Sequence, residues 1–106
     1  MEGDATTDRI RVVIDAELEE LIPGFLENRD QDVRDLRAAL AEGDLETVRR
    51  LGHGMKGSGG GYGFDPISTL GRALEEAARD QRPDDAARRI EELADYLARL
   101  EVVYEP

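Results

Sequence analysis

The chain has no cysteine, no tryptophan and a single histidine among its 106 residues. Without cysteine there is no disulfide framework and no thiolate chemistry. One imidazole and no thiolate leave a metal site to carboxylates alone, and the acidic residues are spread along the chain rather than gathered, so no metal ligands are expected. Aromatic residues make up 5% of the chain, so the core must be mostly Leu, Ile, Val and Ala. No apolar run approaches the roughly 18 residues of a membrane span, and no leader pattern is present, so a cytoplasmic protein without a membrane partner is expected. Positive charge is scarce as well: 14 Lys and Arg stand against 25 Asp and Glu, a net charge of −11. Such acidity repels the phosphates of nucleic acid, which is excluded as a partner.

What is present is one domain's length of chain, rich in Glu, Arg, Ala and Leu, a composition that leans all-α. Met1–Asp8 is small, polar and charged and reads as an arm. Ile10–Ile14 is β-branched and reads as extended. With no sheet in prospect, it is expected to lie across the end of a helical bundle. Asp15 is a good helix N-cap, followed by Leu18, Leu21, Ile22, Phe25 and Leu26 at helical spacing. Pro23-Gly24 predicts a break near Ile22, after which Val33, Leu36 and Leu40 carry the apolar stripe to about Ala41. Gly43 and Asp44 combine a helix stop with a new N-cap. A second helix starts at Leu45 and runs into the glycines, with Leu45, Val48, Leu51, Met55 and Tyr62 on one side. Asp65 and Pro66 open a third helix lined by Ile67, Leu70 and Leu74. Pro83 opens a fourth, whose apolar residues continue through Leu100 to Tyr104. Short loops between four amphipathic helices predict an all-α, antiparallel up-down four-helix bundle over residues 15–106, with an extended N-terminal arm over 1–14.

The stretch Leu51–Gly63 stands apart. It holds His53, and six of the chain's 11 glycines lie between Gly52 and Gly61. A glycine costs a helix interior about 1 kcal/mol relative to alanine, so the run must serve something other than helix stability. Bare surface, over which another molecule can approach His53, is the simplest gain. Projected at about 100° per residue, His53 falls opposite the apolar stripe. Arg49, Arg50, Lys56, Gly57 and Gly60 share its outer face. Gly52 and Gly54, flanking the histidine, are expected to loosen the local helix.

The glycines match neither a Walker loop nor a dinucleotide fingerprint, since the Lys-Ser/Thr ending and the preceding strand are both missing. A hydrolytic triad needs a pocket that His53 and Ser58 on one helix face cannot make. What remains is an exposed imidazole able to accept a covalent group and pass it on. With an unperturbed pKa of about 6.5 it is largely neutral, and so nucleophilic, near pH 7. Nearby cations would favour an added phosphoryl group. A partner must then supply the electrophile, and the basic island of Arg49, Arg50 and Lys56 on an acidic chain fits one whose own site is acidic.

His53, Met55, Lys56, Gly57, Ser58 and Gly59, with Gly63 ten residues after the histidine, resemble the motif of histidine-containing phosphotransfer (HPt) domains of multistep phosphorelays. The resemblance runs from about Asp15 to Tyr104. It implies that His53 is the phosphoacceptor, at Nε2, for aspartyl phosphates of receiver domains on response regulators and hybrid sensor kinases. Lys56 would offset the phosphoryl charge. Gly57 would let the receiver come close; Arg49, Arg50 and Gly60, which the projection sets on the same outer face, are expected to meet the partner beside it. It further implies a monomeric phosphocarrier with no kinase or phosphatase activity and no cofactor of its own, Mg²⁺ being carried by the receiver. Two alternatives compete. A non-catalytic helical adaptor would use its glycines only for close helix packing. The dimerisation and phosphoacceptor part of a sensor kinase would show a two-helix hairpin, an acidic residue beside the histidine and an ATP-binding domain.

Overall fold

A computed structural model describes residues 8–106. The element order is β1 (Ile10–Asp15), α1 (Ile22–Ala41), α2 (Leu45–Ser58), α3 (Asp65–Arg79), α4 (Pro83–Arg99) and β2 (Leu100–Glu105), with 3₁₀ turns at Ala16–Leu18 and Gly60–Tyr62. Four helices are therefore present, joined by short connections. Each packs on two others, α1 on α2 and α4, and α3 on α2 and α4. Leu36, Val48, Ile67, Leu74, Ile90, Leu93 and Phe64 are fully buried between them, an aliphatic core as the scarcity of aromatics requires. Phe64 and Tyr62 both stack on Phe25, at centroid distances of 5.6 and 4.4 Å, and close one end of the core.

The expected boundary between the first two helices is present. Gly43 takes φ +72°, and the Asp44 carboxylate accepts the Thr47 amide at 3.1 Å. That conformation strains any residue with a Cβ and is routine for glycine. The chain breaks near Ile22, as the proline predicts, but Asp15 caps only a 3₁₀ turn, accepting the Glu17 amide at 2.9 Å. The long helix begins at Ile22 with Pro23 in its first turn, where the missing N–H costs nothing.

Three expectations are corrected. The fourth helix stops at Arg99, and Leu100 is already extended at ψ 135°. Leu100–Glu105 then forms a strand parallel to β1, in register from Ile10–Leu100 to Asp15–Glu105. Val102, Val103 and Tyr104 favour the pleated chain, and Ile10–Ile14 supplies a partner, so the N-terminal strand has a sheet to join after all. Of the arm expected over 1–14, residues 1–7 lie outside the described residues.

The second correction concerns α2, which ends at Ser58 rather than running through to Tyr62. The Phe64 and Tyr62 amides both donate to the Gly59 carbonyl, and Gly63 at φ +94° closes the turn.

The third concerns the glycines. Gly52 does not loosen the helix; it lets α2 meet α3. A Cβ on Gly52 would lie 2.7 Å from the Gly71 carbonyl oxygen, and one on Gly59 would lie 2.6 Å from the Ser68 amide nitrogen. Gly52 thus sits against Gly71, and Gly59, the C-cap of α2, sits against the earlier Ser68, so the two helices are in contact in opposing order.

Gly52 and Gly54 therefore carry opposite predictions on the same helix. Gly52→Ala must push two backbones apart and should cost on the order of 1–3 kcal/mol. Nothing lies within 4 Å of a Cβ on Gly54, so Gly54→Ala should stabilise by about 0.5–1 kcal/mol through helix propensity. Urea denaturation of the two variants beside wild type checks both signs.

Candidate functional site

His53 projects from the middle of α2, and its side chain is 64% exposed. Its Nδ1 lies 2.9 Å from Oε2 of Glu75, a residue of α3 whose side chain is only 12% exposed. The other carboxylate oxygen, Oε1, accepts from Lys56 Nζ at 2.8 Å. One buried carboxylate is thus shared by two cations or donors one turn apart on α2.

Glu75 reaches them because α2 and α3 touch. A Cβ on Gly71 would stand 2.5 Å from the Lys56 amide nitrogen. Glu75 follows Gly71 by one turn and so faces α2 at the level of His53 and Lys56. A charged group in that position is expensive unless it is well supplied with donors. Lys56 first, and His53 second, hold the Glu75 carboxyl below the usual glutamate range, outweighing the burial that pushes it up. The carboxylate is consequently an acceptor only, and the imidazole nitrogen facing it carries the proton. In the neutral ring this fixes the tautomer with hydrogen on Nδ1 and leaves the lone pair on Nε2.

The remaining predicted residues fall in different surroundings. Gly57, four residues beyond His53, has nothing within 4 Å of where a Cβ would stand, and neither do Gly54 and Gly61. These three make the bare surface. Gly60 is off the helix, in the 3₁₀ turn, with its amide donating to Ser68 Oγ at 2.8 Å and room for an ordinary Cβ contact. Arg49 pairs with Glu46 at 2.6 Å, and Arg50 donates to Thr47 Oγ1 at 3.3 Å. Lys56 is half-buried on Glu75 rather than standing in the open. The basic island is therefore partly neutralised by its own neighbours and attracts an acidic partner less than the bare sequence implies. Among the described residues no three His, Cys, Asp or Glu side chains converge as metal ligands.

Glu75 is the residue that the sequence reading missed. The signal was there: Ile67, Gly71, Leu74 and Ala78 define the buried stripe of α3. Glu75 lies one turn from Gly71, a charge on an otherwise small and apolar face.

The pH dependence follows from the direction of the Glu75 shift. A carboxyl depressed below its unfolded value of about 4.3 stabilises the fold above that value and loses its contribution as pH falls through the folded one. Wild type should therefore exceed Glu75→Gln in stability at about pH 6, and the difference should shrink as pH is lowered towards about 3. Urea midpoints of the two proteins across that range measure it.

Among known proteins, neither the curated proteins nor the solved structures gave a match to this chain. A family model for the Hpt domain, the phosphotransfer module of phosphorelays, matches residues 20–102. That span takes in all four helices, both glycine contacts and the residues around His53, and the chain belongs to the Hpt domain family.

Proposed function

We propose that this chain relays a phosphoryl group between aspartates of receiver domains through a phosphohistidine at His53. The observation that carries this reading is the exposed ring tied through Nδ1 to the buried Glu75 carboxylate. The Nε2 lone pair attacks phosphorus of an aspartyl phosphate. The N–P bond forms as the P–O bond to the donor aspartate breaks, and both electrons of that bond leave with the carboxylate. The Nδ1 proton stays where it is, so the ring becomes a phosphoimidazolium whose positive charge faces Glu75. Transfer onward is the same displacement in reverse, with the acceptor aspartate as nucleophile. No proton has to move in either direction.

The donor and acceptor are receiver domains of response regulators or a hybrid sensor kinase, and any Mg²⁺ belongs to them. The chain itself has no kinase or phosphatase activity on this reading. It works in the cytoplasm, where receivers are. Its four helices form an antiparallel up-down bundle, supported by the opposing order in which α2 meets α3. Gly54, Gly57 and Gly61 let the receiver backbone approach within reach of Nε2, and Arg49 and Arg50 flank that approach. An adaptor without chemistry would account for Gly52, Gly59 and Gly71, which pack helices. It would leave the open glycines, and a buried carboxylate aimed at a surface imidazole, without purpose.

Incubation with purified, phosphorylated receiver domains tests the proposal. The wild type should acquire an acid-labile, base-stable label, and His53→Gln should acquire none; an unlabelled wild type across a panel of receivers would end the phosphotransfer reading. Gly57→Leu should fold normally and slow transfer on the order of tenfold or more by displacing the partner, which rapid-quench kinetics would measure. Equal rates would remove the role given to the bare surface.

A further inference from the structure

The strand β1 has two edges, and β2 occupies one of them. Among the described residues no other element donates or accepts a backbone hydrogen bond along the other edge of Ile10–Ile14. Its faces are sharply divided. Ile10, Val12 and Ile14 pack on the core with Leu100, Val102 and Tyr104 of β2. Arg11, Val13 and Asp15 point the other way, and Val13 is 49% exposed, one of two large apolar side chains so exposed among the described residues. An open edge with an apolar centre is a template for another strand.

We infer that, unlike the monomer the family resemblance implies, two copies of this chain associate by antiparallel pairing of their β1 strands, centred on Val13. The charges select this partner. In that register Val13 faces Val13 of the second copy, and Arg11 faces Asp15 of the second copy at both ends. In β2 the equivalent residues are Glu101, Val103 and Glu105, aligned with Arg11, Val13 and Asp15. Pairing β2 with itself antiparallel would set Glu101 against Glu105. Parallel pairing of β1 with itself would set like charges against each other at both ends. Pairing β1 with β2 of another copy always leaves one end acid on acid. With the valines opposed, only the antiparallel β1 pair has opposite charges at every end, and opposite cross-strand charges stabilise while like ones destabilise.

The same pairing relieves a conflict within each chain. Asp15 and Glu105 are in register, two carboxylates side by side on one face of the sheet. Arg11 of the second copy would lie beside them. The result is a two-fold, self-complementary interface that closes on itself, giving a four-stranded sheet in the order β2, β1, β1, β2 with a row of four valines across its outer face. It uses neither His53 nor Glu75, so it stands apart from the phosphotransfer reading.

Sedimentation of the full chain at concentrations up to about 1 mM, the range of weak association, should show a monomer–dimer equilibrium. Arg11→Asp and Asp15→Arg, each alone, should sediment as monomers, because each makes both ends like-charged. Mixed one to one they should recover the dimer, since every facing pair is again opposite in sign. A wild type that stays monomeric throughout, single variants that dimerise as wild type does, or a mixture that fails to associate would each overturn the inference. Asp15 also caps the following turn, so a second probe avoids it. In this cysteine-free chain, Val13→Cys places one thiol on the two-fold axis and should oxidise to a linked dimer much faster than Val103→Cys; equal rates would refute the register.

Discussion

The contact between the backbones of α2 and α3 governs what this domain can do. Gly52 and Gly71 face each other so closely that a single methyl on either would meet the opposite main chain. That proximity decides the reach of one short side chain. Glu75, a turn beyond Gly71, bonds both His53 and Lys56 because the helices leave no space for anything else between them. Were the axes an ångström or two further apart, the carboxylate would be left buried with its donors out of range, a costly state for a charged group. The two glycines thus stabilise the fold indirectly, by allowing a charged pair of contacts, while each weakens the helix that carries it.

A division between the two faces of α2 follows. The inward stripe Val48, Gly52, Met55 and Gly59 is buried, with spacings of four, three and four. On the outward side lie His53, Gly54 and Gly57, where the ring is presented to solvent beside backbone alone. Glycine serves on both faces, for opposite reasons. The charges around this surface offer little long-range attraction. The chain is at −11 overall, and its local cations are partly spent on Glu46 and Glu75. At physiological salt such fields fade within about 8 Å. Close approach over the bare surface, rather than steering from a distance, is what the site offers a partner.

How much of this could be read beforehand depended on how local each signal was. The Gly43–Asp44 boundary, the break at Pro23 and the outward direction of His53 rest on neighbours along the chain, and they were legible. The two roles of the glycines were legible in principle, since Gly52 and Gly59 fall on the stripe with Val48 and Met55 whereas Gly54 and Gly57 do not. Reading the run as one bare patch merged them. The strand β2 was hidden by a coincidence of periods. Leu100 and Tyr104, four apart, share a face in a helix and also in a strand; only Val102, inward in a strand and outward in a helix, separates the two. Glu75 was legible only as a charge on the small, apolar face of α3; what it bonds was not, because its partners lie on another helix and nothing along the chain states the register of α3 against α2.

The position of Lys56 constrains the chemistry more than its charge suggests. The Lys56 ammonium donates at 2.8 Å to the same carboxylate that holds His53 Nδ1, so its contact in the structure is with Glu75. Lys56 acts on His53 through the carboxylate, keeping Glu75 ionised and so keeping the ring proton on Nδ1. On the proposed function the balance would change after transfer. A phosphoimidazolium at His53 would strengthen its own bond to Glu75, which would no longer depend on the lysine to remain charged. The four-carbon stem of Lys56 is long enough to swing away, and a dianionic phosphoryl group on the ring would compete for it more strongly than a carboxylate already satisfied by an imidazolium. On that proposal a lysine three residues after the histidine serves both states in turn, orienting the nucleophile first and neutralising the product afterwards.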